Sequence, residues 1–135
     1  MRIASSPHFL RNVLLADALS CIACGALQAG FTGQLASLFQ MPPALLQATG
    51  WFLLVYAALV CWIALRKPIP RALVWLLVAG NAGWALACIA LLASGAVAPT
   101  TLGTAWVLAQ AATVAVLAEL QWTALRRPVP AASWA

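Results

Sequence analysis

A line of polar and sulfur-bearing side chains runs through the first apolar stretch of the chain. Asp17, Cys21, Cys24 and Gln28 follow one another at spacings of four, three and four residues, which places them on one face of a helix. An acid in such a setting can bind a cation or exchange a proton. Two thiols at this spacing can bind copper(I) or undergo redox chemistry. The structural alternative is an interhelical hydrogen bond from the acid, with the cysteines packed as small apolar residues.

A second line of this kind lies in a later apolar stretch, where Asn81, Trp84 and Cys88 share a helix face. Hydrocarbon offers no hydrogen-bond partner, so we expect the two lines to face each other inside the protein. Trp84 either lines a ligand pocket or fills the core. Cys88 is a weak candidate for a third metal ligand, in addition to Cys21 and Cys24. The sequence therefore predicts an intramembrane ligand or ion site, whose candidate residues are Asp17, Asn81, Trp84, Gln110, Glu119, Tyr56 and Gln28.

The second acid, Glu119, has a different setting. It lies only seven residues before Arg126, so its carboxylate can reach the membrane interface along its own side chain. Gln110 is nine residues earlier, which is about half a turn around a helix of 3.6 residues per turn. The last apolar stretch thus has two polar faces. We expect one to face the monomer interior and the other a partner chain, which predicts a homo-oligomer such as a dimer.

The composition explains why these residues belong in a membrane. The chain is 65% hydrophobic and 7% charged, with a mean hydropathy of +0.99. A bilayer core about 30 Å thick needs about 20 apolar residues in a helix. We predict a single membrane domain over 1–135, an all-α transmembrane four-helix bundle with a short interfacial turn around Phe31 to Phe39. Its spans lie at about 7–30, 44–65, 71–93 and 101–125.

The charges predict how the spans are oriented. All seven Lys and Arg residues lie in the N-terminal segment, the middle loop and the C-terminal tail. Basic residues stay on the cytoplasmic side of inserted helices, so both termini should be cytoplasmic. The basic clusters are short and lie at span ends, which excludes nucleic acid as the partner and leaves the lipid bilayer. A cleaved signal peptide is not expected, because Asp17 interrupts its apolar region.

The chain also repeats itself. Trp62–Pro70 and Trp122–Pro130 share six of nine residues, and a weaker match relates Asp17–Ala29 to Asn81–Ala93, with six of thirteen. We therefore predict two helical hairpins, at about 7–70 and 71–130, related by an axis along the membrane normal. Asp17 then corresponds to Asn81, and the two should lie at similar depth, about 15 Å along their helices at about 1.5 Å per residue.

The segment NAGWALACIALLASGAVAPTTLGTAWVLAQAATVAVLAELQW (Asn81–Trp122), together with LLADA around Asp17, resembles small four-span integral membrane proteins that are widespread in bacteria. The resemblance covers nearly the whole chain and implies four spans and an inner-membrane address. It implies no activity and no catalytic residues.

Three kinds of function remain open. The first is a small transporter, channel or lipophilic-ligand binder with its polar site around Asp17, by analogy with small multidrug transporters. The second is a non-catalytic accessory subunit that binds other membrane helices. The third is a thiol-based redox or copper(I) protein. No motif for phosphate binding or hydrolysis occurs, so we predict no catalytic residues, and we expect no resident cofactor.

Overall fold

A computed structural model describes residues 7–127 of the chain as five α-helices. They are α1 (Pro7–Gly30), α2 (Thr32–Phe39), α3 (Pro43–Ala64), α4 (Arg71–Ala93) and α5 (Thr101–Arg126). The four longer helices are each long and apolar enough to cross a membrane. The predicted all-α bundle is therefore confirmed, and the chain is a multi-pass membrane protein. Arg2 and the end of the predicted repeat at 128–130 lie outside the described residues.

Two arginines connect neighbouring helices at one end of the bundle, which we call the basic end. Arg11 Nε in α1 donates to the carbonyl of Ala64 at 2.8 Å, and Arg71 in α4 donates to the carbonyl of Leu125. The last carbonyls of a helix have no partner in the helix itself, and the dipole there favours a cation. Each arginine thus completes the C-terminus of the helix beside it.

The basic end also carries two similar tryptophan–arginine pairs. The guanidinium of Arg66 lies 4.1 Å from the ring centre of Trp62, and that of Arg126 lies 4.9 Å from that of Trp122. Both pairs belong to the nine-residue motif that recurs in the sequence. The two motifs therefore make the same local contact.

The opposite end, the α2 end, is covered by a short helix where the sequence predicted only a turn. Gln40 caps the C-terminus of α2 and takes the left-handed conformation with φ 51°. Thr100 donates from its backbone N–H to Phe39 and from its hydroxyl to the carbonyl of Leu38, both at 2.9 Å. The same hydroxyl accepts from the N–H of Gly103 at 3.2 Å and caps α5. Thr100 thus joins α2 to the start of α5.

The long helices pack chiefly in two pairs, α1 with α3 and α4 with α5, and the α1–α5 contact closes the bundle. The first pair crosses closely at Gly25 and Gly50. A Cβ built on Gly25 would lie 2.8 Å from the carbonyl oxygen of Gly50, and one on Gly50 would lie 2.9 Å from Ala29 N and Gln28 Cβ. Only glycine fits at these positions, because small residues let membrane helices approach.

Two apolar clusters occupy the ends of the bundle. At the basic end the buried residues are Leu14, Ala18, Val60, Ile63, Ala64, Val74, Leu77 and Leu125. At the α2 end they are Phe39, Met41, Leu46 and Val107. The polar lines recognised in the sequence lie between and beside these clusters.

We expect Gly50→Ala to lower the free energy of unfolding by about 1–3 kcal/mol, because its methyl group overlaps α1 at the close crossing. Gly83→Ala is the matched control, since a Cβ there meets nothing within 4 Å. Helix propensity should leave that variant neutral or slightly stabilised. Reversible unfolding in mixed micelles of sodium dodecyl sulfate and a mild detergent measures both. Equal stability of the two variants would contradict the tight crossing.

Candidate functional site

Asp17 lies fully inside the bundle, with 0% of its surface exposed. One carboxylate oxygen accepts from Asn81 Nδ2 at 2.9 Å and from Gln121 Nε2 at 2.8 Å. The other accepts from the thiol of Cys21 at 3.6 Å. Tyr56 extends this group, because its hydroxyl donates to Asn81 Oδ1 at 3.2 Å. We call these five residues the Asp17 layer; it links α1, α3, α4 and α5.

The donors to Asp17 are all neutral groups. An amide or thiol hydrogen bond satisfies a buried oxygen without placing a second charge in the membrane. The layer therefore suits an acid that joins helices.

Gln28 organises a second polar group nearer the α2 end. Its amide nitrogen donates to Thr49 Oγ1 at 2.8 Å and to the carbonyl of Leu46 at 3.3 Å. Its oxygen accepts from Gln110 Nε2 at 2.9 Å and from the indole N–H of Trp106 at 3.1 Å. Both hydrogens and both lone pairs of this buried amide are thereby used.

Trp84 adds to the second group by donating to Gln110 Oε1 at 3.4 Å. We call Gln28, Thr49, Gln110, Trp106 and Trp84 the Gln28 layer. It too joins α1, α3, α4 and α5, so each polar layer draws a side chain from every long helix.

The two layers are matched in register. Asp17 and Gln28 are eleven residues apart on α1, and Gln110 and Gln121 are eleven apart on α5. Eleven residues make about three helical turns, a rise of about 16 Å, so each pair lies on one helix face. Because α1 and α5 run in opposite directions, Asp17 meets Gln121 where Gln28 meets Gln110.

The depth of Asp17 follows from the basic end. Arg11 marks that end on α1 through its bond to α3. Asp17 comes six residues later, about 9 Å deeper at about 1.5 Å per residue. Counted from Pro7, where α1 begins, Asp17 lies ten residues along the helix, about 15 Å at about 1.5 Å per residue, as the sequence predicted.

A cavity of about 250 Å³ lies between the two layers. On α1 its wall includes Cys21 and Cys24, and on α5 it includes Gln110 and Val114. The indole of Trp84 from α4 and that of Trp106 from α5 complete the two sides. Of the described residues that line the cavity, none is charged. Cys21 separates the cavity from the carboxylate of Asp17.

Glu119 lies outside this arrangement. We predicted that it would support the Asp17 site, but its side chain is exposed on the outer surface of α5. The reason is angular: Glu119 is two residues from Gln121, about 200° around the helix at 3.6 residues per turn. Since Gln121 faces Asp17, Glu119 must face away.

The cysteines do not form one cluster. Cys21 and Cys24 lie on the cavity wall, whereas Cys88 packs against the apolar cluster at the α2 end. Within residues 7–127, no group of three or more His, Cys, Asp or Glu side chains is placed to hold a metal ion. The three weak metal candidates are therefore divided between two places.

Sequence reasoning missed Gln121, Trp106 and Thr49. Gln121 repeats the helix face of Gln110 after eleven residues, and this periodicity could have identified it. Trp106 and Thr49 carried no such signal, because a tryptophan or threonine in an apolar helix is common without any polar role. The chain matches no family model, no curated protein and no solved structure. Its function therefore has to be argued from the two layers and the cavity.

We expect Gln121→Leu to lower the free energy of unfolding by about 1–3 kcal/mol, because it removes a donor from the fully buried Asp17. Gln47→Leu, an exposed position in α3, is the matched control and should leave stability nearly unchanged. Titration with sodium dodecyl sulfate in mild detergent gives both values. A Gln121→Leu protein as stable as the control would argue against the hydrogen bond to Asp17.

Proposed function

We propose that this protein binds small lipophilic molecules within the bilayer, in the cavity between α1 and α5. The observation that carries the proposal is the position of the cavity: it lies between two polar layers and its walls are largely apolar side chains. Ligand sites are typically apolar hollows of about 300–1,000 Å³ with a few well-placed polar groups, so a cavity of about 250 Å³ suits a small ligand. The cavity has this character.

The way into the cavity supports a ligand that comes from the membrane. Ala23 on α1 and Ala109 and Thr113 on α5 line the cavity and are also exposed at the bundle surface. Ala109 lies eight residues into α5, about 12 Å from its start. An opening at that depth faces acyl chains, so molecules dissolved in the bilayer have direct access.

The polar layers favour binding over free conduction. The Asp17 layer lies between the cavity and the basic end, and the Gln28 layer lies between the cavity and the α2 end. A channel for water or ions would need a continuous polar path through both. Transport of a lipophilic molecule would instead need one of the two layers to open. Cys21 lines the cavity and also bonds to Asp17, so it would connect occupancy of the cavity to the Asp17 layer.

The thiol chemistry considered from the sequence has less support. Reactive cysteines are thiolates in positively charged surroundings. Cys21 instead donates its thiol hydrogen to a carboxylate. The contact suits a cysteine that packs and bonds within the bundle.

We further propose that the basic end is cytoplasmic and that the membrane is a bacterial inner membrane. The cations Arg11, Arg66, Lys67, Arg71 and Arg126 all lie at that end, and the α2 end has none among the described residues. Such asymmetry sets the orientation of inserted helices.

Green fluorescent protein fused after Ala135 should fluoresce in bacterial cells, because it folds only in the cytoplasm, and an alkaline phosphatase fusion at the same place should be inactive. The reverse pattern would overturn this orientation. Fusions within the 94–100 loop serve as the matched pair and should give opposite signals.

Glu119 favours a second candidate, a subunit of a membrane assembly. An exposed carboxylate on a spanning helix costs about 2.5–3.5 kcal/mol at the helix centre and less near the ends. Contact with a second copy or another membrane protein would cover it. Co-purification of a partner that is lost in Glu119→Leu supports this role, and an isolated monomer in native lipid counts against it.

Ala109→Trp tests the lipophilic site, because the added indole should fill the mouth of the cavity. Benzophenone, a photoreactive lipophilic probe, should label the unmodified protein saturably on peptides that contain Cys21–Cys24 and Ala109–Val114. We expect at least five-fold less labelling in Ala109→Trp. Ala112→Trp, exposed on the same helix but away from the cavity, should label normally. Labelling that never saturates, or that is equal in all three proteins, would rule the site out.

A further inference from the structure

The side chains that line the cavity indicate the shape of the ligand that would fit there. Trp84 stacks on Phe52 with ring centres 5.5 Å apart and planes 3° apart. Trp106 rests on Phe39 at 5.5 Å. The indole N–H groups are fixed as well, because both donate within the Gln28 layer. Two large flat side chains are therefore held in place before any ligand binds, which lowers the entropy cost of binding a flat molecule between or against them.

The same walls offer very little hydrogen bonding. The hydroxyl of Ser20 donates to the carbonyl of Asp17 at 2.8 Å, and that of Thr113 donates to the carbonyl of Ala109 at 2.8 Å. The thiol hydrogen of Cys21 goes to Asp17. With the two indole N–H groups also engaged, these hydrogens are not available to a ligand.

Among the described side chains of the wall, Gln110 is the remaining strong donor, since the thiol of Cys24 also lines the cavity but donates only weakly. The amide nitrogen of Gln110 carries two hydrogens, and one of them is used in the 2.9 Å bond to Gln28 Oε1. Among the described residues, the second has no acceptor. Since Gln110 is only half-buried and lines the cavity, this N–H can be offered to a ligand.

We infer that the cavity accepts an uncharged, flat aromatic molecule with one hydrogen-bond acceptor, such as an aryl ketone, and that Gln110 donates to that acceptor. The inference rests on the proposed lipophilic site and adds the chemical class of its ligand. A charged ligand would lose its hydration on entering the cavity, and the uncharged walls would not compensate for that loss. An acyl chain would fill the space but could neither stack nor accept a hydrogen bond.

Two probes of nearly equal shape isolate the acceptor. 1-Acetonaphthone has a carbonyl group where 1-ethylnaphthalene has a methylene group. Each is titrated against saturable benzophenone labelling of the protein in phosphatidylcholine nanodiscs, with concentrations corrected for partition into lipid. We expect the ketone to compete roughly five- to ten-fold more strongly, the gain from one hydrogen bond.

Gln110→Met keeps the length of the side chain and removes the N–H. In that variant the two naphthalenes should compete equally, because the ketone loses its donor. Thr113→Val is the control: it also alters the cavity wall, but its hydroxyl is already bonded within α5, so the preference for the ketone should persist. The comparison within the unmodified protein requires no variant, which keeps the test decisive if Gln110→Met does not fold.

The outcomes separate the two proposals. Failure of benzophenone to label the cavity saturably removes the lipophilic site itself. Saturable labelling with equal competition by the two naphthalenes leaves the site intact and overturns the role of Gln110. Decane competing as well as the ketone shows an acyl-chain site instead, and 1-naphthylmethylammonium competing more strongly shows a cation site directed at Asp17. Either result also overturns the inferred ligand class.

Discussion

Hydrocarbon supplies neither hydrogen-bond donors nor acceptors, and this constraint determines where the helices of the bundle meet. α1 carries Asp17 and Gln28, two side chains that cannot face lipid without cost, and each belongs to a layer whose hydrogen bonds also include side chains of α3, α4 and α5. Both contacts must form together, because eleven residues separate the polar groups on α1 and eleven separate their partners on α5. Sliding one helix along the other by a single residue would break both layers. The polar pairs thus fix a register that apolar packing alone would leave less defined, since apolar side chains can exchange neighbours at little cost.

The same two layers account for the hollow between them. At the Gln28 layer, long glutamine and tryptophan side chains bridge the space between α1 and α5. The residues that line the space between the layers include Ser20, Cys21, Cys24 and Ala109, which are too small to fill it. At the α1–α3 crossing the opposite occurs, because Gly25 and Gly50 let the backbones touch. One side of α1 is therefore tightly packed while the side toward α5 is open, so the asymmetry of the bundle arises from side-chain size.

Much of the fold could be predicted from hydropathy, because a membrane span needs a set length of apolar residues and proline or arginine marks its ends. Helical periodicity also indicated that Asp17 would face Asn81, since a polar side chain in a span must face protein. The remaining partners were harder. Gln121 precedes Trp122 near the basic end of the bundle, where a polar residue is common in any membrane helix. Only its spacing of eleven residues from Gln110 distinguishes it. Glu119 was placed with the site because it is an acid, although the helix turns it outward. Whether a cavity forms depends on the combined volumes of side chains from four helices, and residue spacing in the sequence does not reveal those volumes.

The close crossing of α1 and α3 has a further consequence if the two hairpins arose from one ancestor. The recurrent tryptophan–arginine motif aligns α3 with α5 at an offset of 60 residues, and at this offset Gly50 corresponds to Gln110. The position that lets the two helices of the first hairpin touch carries, in the second hairpin, the amide that borders the cavity. The same place in the two hairpins thus holds a glycine where two helices touch and a long amide where two helices part around a cavity.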